Sequence, residues 1–227
     1  MTAGAGVTSA APQTGTGRTL EVCFNYGCAS RVPVLFLADE LTRVGALFDG
    51  VSDAEDERER LADALAALYR LIGGQTPVFA DVAGNLGDEE REGRMDCIDH
   101  STTTTRLLAL MAEQGWLRHH VVREPARRGW FLSQHFSAVI EARSAPLVAS
   151  GGQGGPDWPD HIAYLLALCD CPEVVNDAAG AGGHEPRADH DEVGPLFAVD
   201  SWFVDHAEPP VIMPLADWMN GEGPNVQ

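Results

Sequence analysis

The stretch that most limits how this chain can fold is "DCIDHSTTTTRLLALMAEQG", which begins at Asp96. Its second half has the apolar spacing of a helix, while its first half sets Thr102 to Thr105 in succession. An exposed helix is better served by Ala, Glu or Lys, because β-branched and hydroxyl-bearing residues lose freedom or compete with the backbone. A helix buried on several sides accommodates threonines, whose hydroxyls find partners inside. The stretch therefore predicts a central helix. Asp96 is placed to be its N-cap, Asp99 completes a capping-box-like pattern, and Cys97 falls at the first helical position.

Around this helix the chain changes periodicity several times. "DAEDERERLADALAALYRLIGG" sets Leu61, Leu65, Leu68 and Ile72 on one stripe, with acidic residues in its first turn and Gly73 at its end, and reads as a helix with a solvated charged face. "TLEVCFNYGC" alternates and turns at Gly27 as a strand would, and Pro33 is placed to open a helix over "PVLFLADELTRVGALF". "QTPVFADVAGNLGDEEREG" reads as a loop. "LRHHVV", "HFSAVIEA" and "LFAVDSWF" read as strands, the first with one of His119 and His120 inward and the other outward. "PLADWM" predicts a short terminal helix. Between the second and third of these strands, residues 143–195 are dominated by Gly, Pro, Asp and His and predict an irregular insertion with one short helix at "PDHIAYLLALC". Residues 1–18 have the composition of a disordered tail. The expected organisation is a tail followed by a single domain over 19–227, of α+β class, with helices packed against an antiparallel sheet.

Charge and composition narrow the partners. The chain has 34 acidic and 15 basic residues, a formal charge of -19, which repels nucleic acid and anionic membrane surfaces. The surplus acidity serves solubility or, on a second reading, draws a cationic substrate. Every basic residue is Arg, so Schiff-base chemistry on a lysine of this chain is excluded. No apolar run approaches the roughly 20 residues that cross a bilayer, and the N-terminus lacks the charged and apolar regions of a secretory signal. A soluble, cytoplasmic protein without membrane contact is expected.

Five cysteines, an odd number, fit a reduced compartment better than a disulfide scaffold. Cys23 and Cys28 read as core thiols beside a turn. A zinc site would need a second pair, and Cys169 and Cys171 are too closely spaced to supply it. His184 and His190 in "GGHEPRADHD" complete no ligand pattern. No metal and no cofactor are expected.

Cys97 is different. At a helix start, unpaired N–H groups and the helix dipole favour a thiolate by roughly 0.3–1 kcal/mol, while Asp96 and Asp99 oppose it. A proton acceptor is needed. His100, His119, His120, His135 and the histidines of the insertion are candidates, and His135 is preferred because it begins the alternating strand "HFSAVIEA", where a rigid backbone can aim an imidazole. Asp200, in "FAVDSW" on the next core strand, is placed to orient that imidazole. An oxyanion would be met by the backbone N–H of Cys97 and by an amide from Gln75, Asn85 or Asn25.

The order of these residues, a cysteine opening a helix followed by a histidine and an aspartate on strands, resembles the transglutaminase-like (papain-like) cysteine enzyme superfamily. The resemblance is carried by "MDCIDHSTTTTRLL", "HFSAVIE" and "VDSWF" and covers residues 93–122, 133–142 and 196–203, under half of the chain. It implies a cysteine helix packed against an antiparallel sheet, with Cys97 as nucleophile, His135 as general base, Asp200 as orienting acid and Gln75 as an upstream oxyanion donor. The chain departs from that family in the long separation of His135 from Asp200, where the family has a short hairpin connection; the insertion accounts for it. "CFNYGC" and "QTPV" are similar to segments of uncharacterised bacterial proteins, a likeness that brings no activity. The expected function is that of a cysteine-dependent hydrolase or acyltransferase, cleaving an amide or ester bond of a peptide or small molecule through a thioester. The alternatives are a non-catalytic binding protein that keeps the fold and, more remotely, a metal-binding protein.

Overall fold

Alternating apolar residues build the first two strands. The computed structural model describes residues 17–85, 87–129, 134–143 and 194–224. β1 (Arg18–Phe24) and β2 (Ser30–Phe36) pair antiparallel, with Arg18 opposite Phe36 and Phe24 opposite Ser30. Val22, Phe24, Val34 and Phe36 are buried in the main core. Pro33 does not open a helix as expected: it lies in β2 opposite Glu21. In a two-stranded ribbon every strand is an edge, where a missing N–H is tolerated, and the period-two burial of Val34 and Phe36 decides the conformation. Helix α1 (Ala38–Gly45) starts only after Leu37, whose N–H donates to the Glu40 carboxylate at 2.8 Å.

α2 (Ala54–Gly73) is capped by Asp53, which accepts from the N–H groups of Glu55 and Asp56, both at 3.0 Å. Leu61, Leu65, Leu68 and Ile72 are wholly buried, as their spacing predicts. Each contributes about 1.5–3 kcal/mol. The loop expected after α2 contains a 3-10 turn at Pro77–Ala80, capped by Thr76.

α3 (Cys97–Glu113) sends Leu107, Leu108 and Met111 into the same core. β3 (His120–Arg128), β4 (His135–Ala142), β5 (Leu196–Asp200) and β6 (Val211–Pro214) then form an antiparallel sheet in the order β3-β4-β5-β6, and α4 (Leu215–Met219) follows. β3 runs further than "LRHHVV" suggested. β6 was not expected, because "VIMP" is short and only half-buried. The class is α+β, helices with antiparallel sheets. Ala138, Ile140 and Val199 join the main core, whereas Ala198 belongs to a second cluster with Phe203 and Trp218.

β4 and β5 are neighbours despite their distance in sequence, with Ala138 opposite Val199 and Glu141 opposite Leu196. Beyond the last pair, the Ala142 N–H donates to the Pro195 carbonyl at 2.9 Å and the Gly194 N–H to the Glu141 carboxylate at 2.9 Å. The chain thus leaves and re-enters the sheet at one place. Residues 1–16 of the expected tail, most of the expected insertion with its helix, and Cys169, Cys171, His184 and His190 lie outside the described residues. Among the described residues no helix is long and apolar enough to cross a membrane.

Candidate active site

The helix that begins at Cys97 is fastened before its first turn. Gly93 has a φ of +88° and donates its N–H to Asn25 Oδ1 at 2.8 Å; a Cβ at that position would collide with the Pro77 carbonyl. Three residues later, Asp96 Oδ1 accepts from the N–H groups of Ile98 (3.0 Å) and Asp99 (2.9 Å), and Asp99 Oδ2 accepts in return from Asp96 N–H at 3.2 Å. The capping box read from the sequence is present.

A second device holds the same two carboxylates. Asn25, Tyr26, Gly27 and Cys28 all have left-handed backbone, with φ of 64°, 60°, 59° and 60°. Successive residues of this kind gather their N–H groups into a concavity that binds an anion. Tyr26 and Cys28 donate to Asp99 at 2.7 and 2.5 Å, and Gly27 donates to Asp96 Oδ2 at 3.0 Å. Burial, helped by the neighbouring charge of Asp96, pushes the Asp99 carboxyl up to about 6.

Cys23 and Cys28 close this loop as a disulfide, their Cα atoms 4.8 Å apart, which corrects the expectation of two core thiols. The left-handed run folds the chain back sharply enough to bring the two residues together. The two sulfurs and Asp99 are the one group among the described residues with metal-ligand proximity. With the sulfurs bonded to each other and both Asp99 oxygens accepting N–H groups, they offer a metal no ligand set.

Of the four threonines, Thr103 and Thr104 are buried, while Thr102 and Thr105 are half-buried. Thr103 accepts from Cys23 N–H at 3.2 Å and donates to Cys23 O at 3.3 Å, tying α3 to β1. Thr104 is 2.9 Å from the Tyr69 hydroxyl and 3.0 Å from Ser201 Oγ. His100, on the next turn back, bonds Ser201 through Nδ1 at 2.9 Å and sets Nε2 2.9 Å from Asp81, out of line for a hydrogen bond. This network is buried and fixes α3 to Ser201, the residue after β5.

Cys97 is half-buried. Its Sγ donates to the Gln134 carbonyl at 3.7 Å, so the thiol is engaged by the residue before His135 and not by the imidazole itself. Burial pushes the thiol up, and the carboxylates of Asp96 and Asp200 add to this; the backbone of Phe136 and that of Cys97 itself act in the opposite direction.

His135 and Asp200 meet as the sequence predicts. Continuing the β4–β5 register puts Asp200 on the same face of the sheet as His135, one diagonal step away. His135 Nε2 lies 2.7 Å from Asp200 Oδ2, which also accepts from Trp218 Nε1 at 2.8 Å, while Asp200 Oδ1 accepts from Trp202 N–H at 3.1 Å. A carboxylate can only accept, so Nε2 carries the proton and Nδ1 is left with a lone pair. The imidazole is walled by the rings of Trp202, Phe203 and Trp218, at centroid distances of 4.9, 5.5 and 5.6 Å. Cys97 and His135 line one cleft of about 430 Å³, together with Tyr26, Asp96, Arg128 and Trp202 among others.

Gln75 is not in that cleft. Its Oε1 accepts from Leu35 N–H at 3.1 Å and its Nε2 donates to Leu35 O at 2.9 Å and Leu71 O at 3.4 Å, fastening β2 to α2. Having a full set of backbone partners, it does not serve as the expected oxyanion donor. Asn25 is spent on Gly93 and Ser30. Asn85 does line the cleft, but its Nδ2 donates to Asp81 at 3.3 Å and Asp88 at 3.1 Å. The backbone N–H of Cys97 is not used by the cap, which takes those of Ile98 and Asp99.

Sequence reasoning missed Trp218, Arg128 and the carboxylate-binding loop. An indole N–H in "LADWM", close to an aspartate strand, was a readable signal for the first. The "NYG" turn was one for the loop. Neither a protein-family model, nor a curated protein, nor a solved structure matches the chain.

Proposed function

We propose that this protein is a cysteine-dependent hydrolase or acyltransferase with a transglutaminase-like core, acting on an amide or ester bond. The observation that carries the reading is the His135–Asp200 pair at 2.7 Å, which engages Nε2 and leaves Nδ1 as the other ring nitrogen of a histidine that lines one cleft with Cys97. Cys97 Sγ attacks the substrate carbonyl as His135 Nδ1 takes the thiol proton. The backbone N–H of Cys97 meets the oxyanion. The protonated imidazole then gives its proton to the leaving amine or alcohol, and the thioester passes its acyl group to water or to an amine. Asp200 holds the tautomer throughout and stabilises the imidazolium. Because the resting thiol is raised by burial, His135 acts as a base during attack and not as the partner of a standing thiolate.

The thiol's hydrogen bond to a carbonyl favours a second reading, in which the fold is kept for binding and Cys97 is inert. Alkylation by iodoacetamide separates the two. The enzyme reading expects Cys97 to react ahead of Cys169 and Cys171 at neutral pH and His135→Ala to slow it about tenfold or more. Its rate should climb with pH through neutrality and level off above about 8.5, the ordinary thiol value. A rate indifferent to His135→Ala would leave the binding reading standing.

A further inference from the structure

Arg128 is a cation set inside the cleft of a protein whose formal charge is -19. It lies directly opposite His135 in the β3–β4 ladder, so the two side chains leave the sheet on the same face. Among the described residues Asp96 is the other charged residue lining the cleft, and its carboxylate is occupied by the N–H groups of Ile98, Asp99 and Gly27. The guanidinium is fixed in place. Nη1 donates to the Trp218 carbonyl and, at 2.9 Å, to the Glu222 carbonyl, and its central carbon lies 4.5 Å from the Trp218 ring centroid and 5.8 Å from that of Phe203. Among the described residues no acceptor takes the hydrogens of Nε and Nη2, which form one edge of the guanidinium fork. A rigid, half-buried guanidinium with a free edge matches the two oxygens of a carboxylate.

We propose that Arg128 is a specificity-determining residue that anchors a carboxylate group of the substrate, so that the bond attacked by Cys97 belongs to an anionic acyl compound. The inference rests on the reading of Cys97 and His135 as nucleophile and base. It reverses the simplest expectation from net charge, which is attraction of cations. The charge of the surface acts at long range and is screened by salt; a partly desolvated guanidinium acts at contact and is screened much less. Burial lowers the Arg128 pKa, and the charge of Asp200 works against that.

Two alkylating agents of nearly equal size supply the test. Iodoacetate carries a carboxylate and iodoacetamide does not; in either case the Cys97 sulfur displaces iodide and forms a thioether. The rate ratio of iodoacetate to iodoacetamide at Cys97, divided by the same ratio for a small free thiol, should exceed unity by about tenfold in the wild type. It should fall to unity or below in Arg128→Gln and recover in part in Arg128→Lys. A wild-type ratio at or below that of the free thiol, or a ratio unmoved by Arg128→Gln, would overturn the assignment. Should Arg128→Gln fail to fold, protection of the wild type decides: propionate should slow iodoacetamide saturably where propionamide does not, and equal effects or none sink the proposal. Failure of the underlying reading looks different, since iodoacetamide alkylation would then be indifferent to His135→Ala whatever the reagent ratio.

Discussion

Glu57 is wholly buried on α2 and meets only donors: the N–H groups of Arg118 (2.7 Å) and His119 (2.9 and 3.0 Å) and His120 Nδ1 (2.9 Å). Burial alone would raise its carboxyl; the His120 ring and the two backbone N–H groups outweigh that and hold it below the usual range. Removing it strands two backbone N–H donors and a buried imidazole. Glu57→Ala should therefore cost about 3–5 kcal/mol, read as a lowered denaturation midpoint in urea. The sign of the pH effect follows from the depressed value. The stabilisation is fully present above the unfolded carboxyl value of about 4.3 and is lost as pH falls through the folded one, so acid unfolding of the wild type should begin below about pH 4 and be blunted in Glu57→Ala. "HH" announced one inward histidine in the sequence, and His120 is that residue. Its partner could not be read, because a glutamate in the first turn of an amphipathic helix looks like any other capping acid until the neighbouring strand closes over it.

At the level of elements, the opening of α3 is the best-specified feature of the chain and the most legible one. Asp96 and Asp99 were readable as a capping box because a cap is a local contract between residues three apart. β4 was readable to its ends from its aromatic and β-branched content, although Ser137 to Ala142 are all buried and both faces of the strand are covered. What the sequence could not disclose is the partner brought from far away: the Asn25–Cys28 loop that grips both capping carboxylates. Pro33 misled for a related reason, since the residue's local meaning differs between a helix start and an unprotected strand edge. The loop carries its own prediction. Replacing both Cys23 and Cys28 by Ser removes a short closed loop worth about 2 kcal/mol on chain-entropy grounds. It should also let Asp96 swing free of Gly27, leaving its charge nearer the Cys97 sulfur. The pH profile of Cys97 alkylation should then shift to higher pH in the double variant, a change that thermal melts and the alkylation rates would report separately.

Across the whole molecule, the site is assembled from one end of α3 and two adjacent strands, and its parts are braced from outside: Asp200 by Trp218 of α4, His100 by Ser201 just after β5, the capping acids by the turn after β1. The order of Cys97, His135 and Asp200 along the chain was legible. The long gap between His135 and Asp200 was legible too, as an insertion: β4 and β5 pair, and they are joined through a segment whose length is set by nothing in the sheet. That junction has a consequence for chain connectivity. Glu141 and Gly194, with Ala142 and Pro195, already bring the two strand ends to within hydrogen-bonding distance, so the closure that a tight turn would impose is made by the sheet itself. Shortening roughly fifty intervening residues to a two-residue Asn-Gly link lowers the entropy of closing the loop in the unfolded chain by about 2–3 kcal/mol, since each halving of length returns about 0.6 kcal/mol. A chain with 144–193 excised in this way should fold, melt no lower than its parent, and keep the His135 dependence of Cys97 alkylation; two strands sewn together directly would then show that the sheet never needed the intervening segment to find its register.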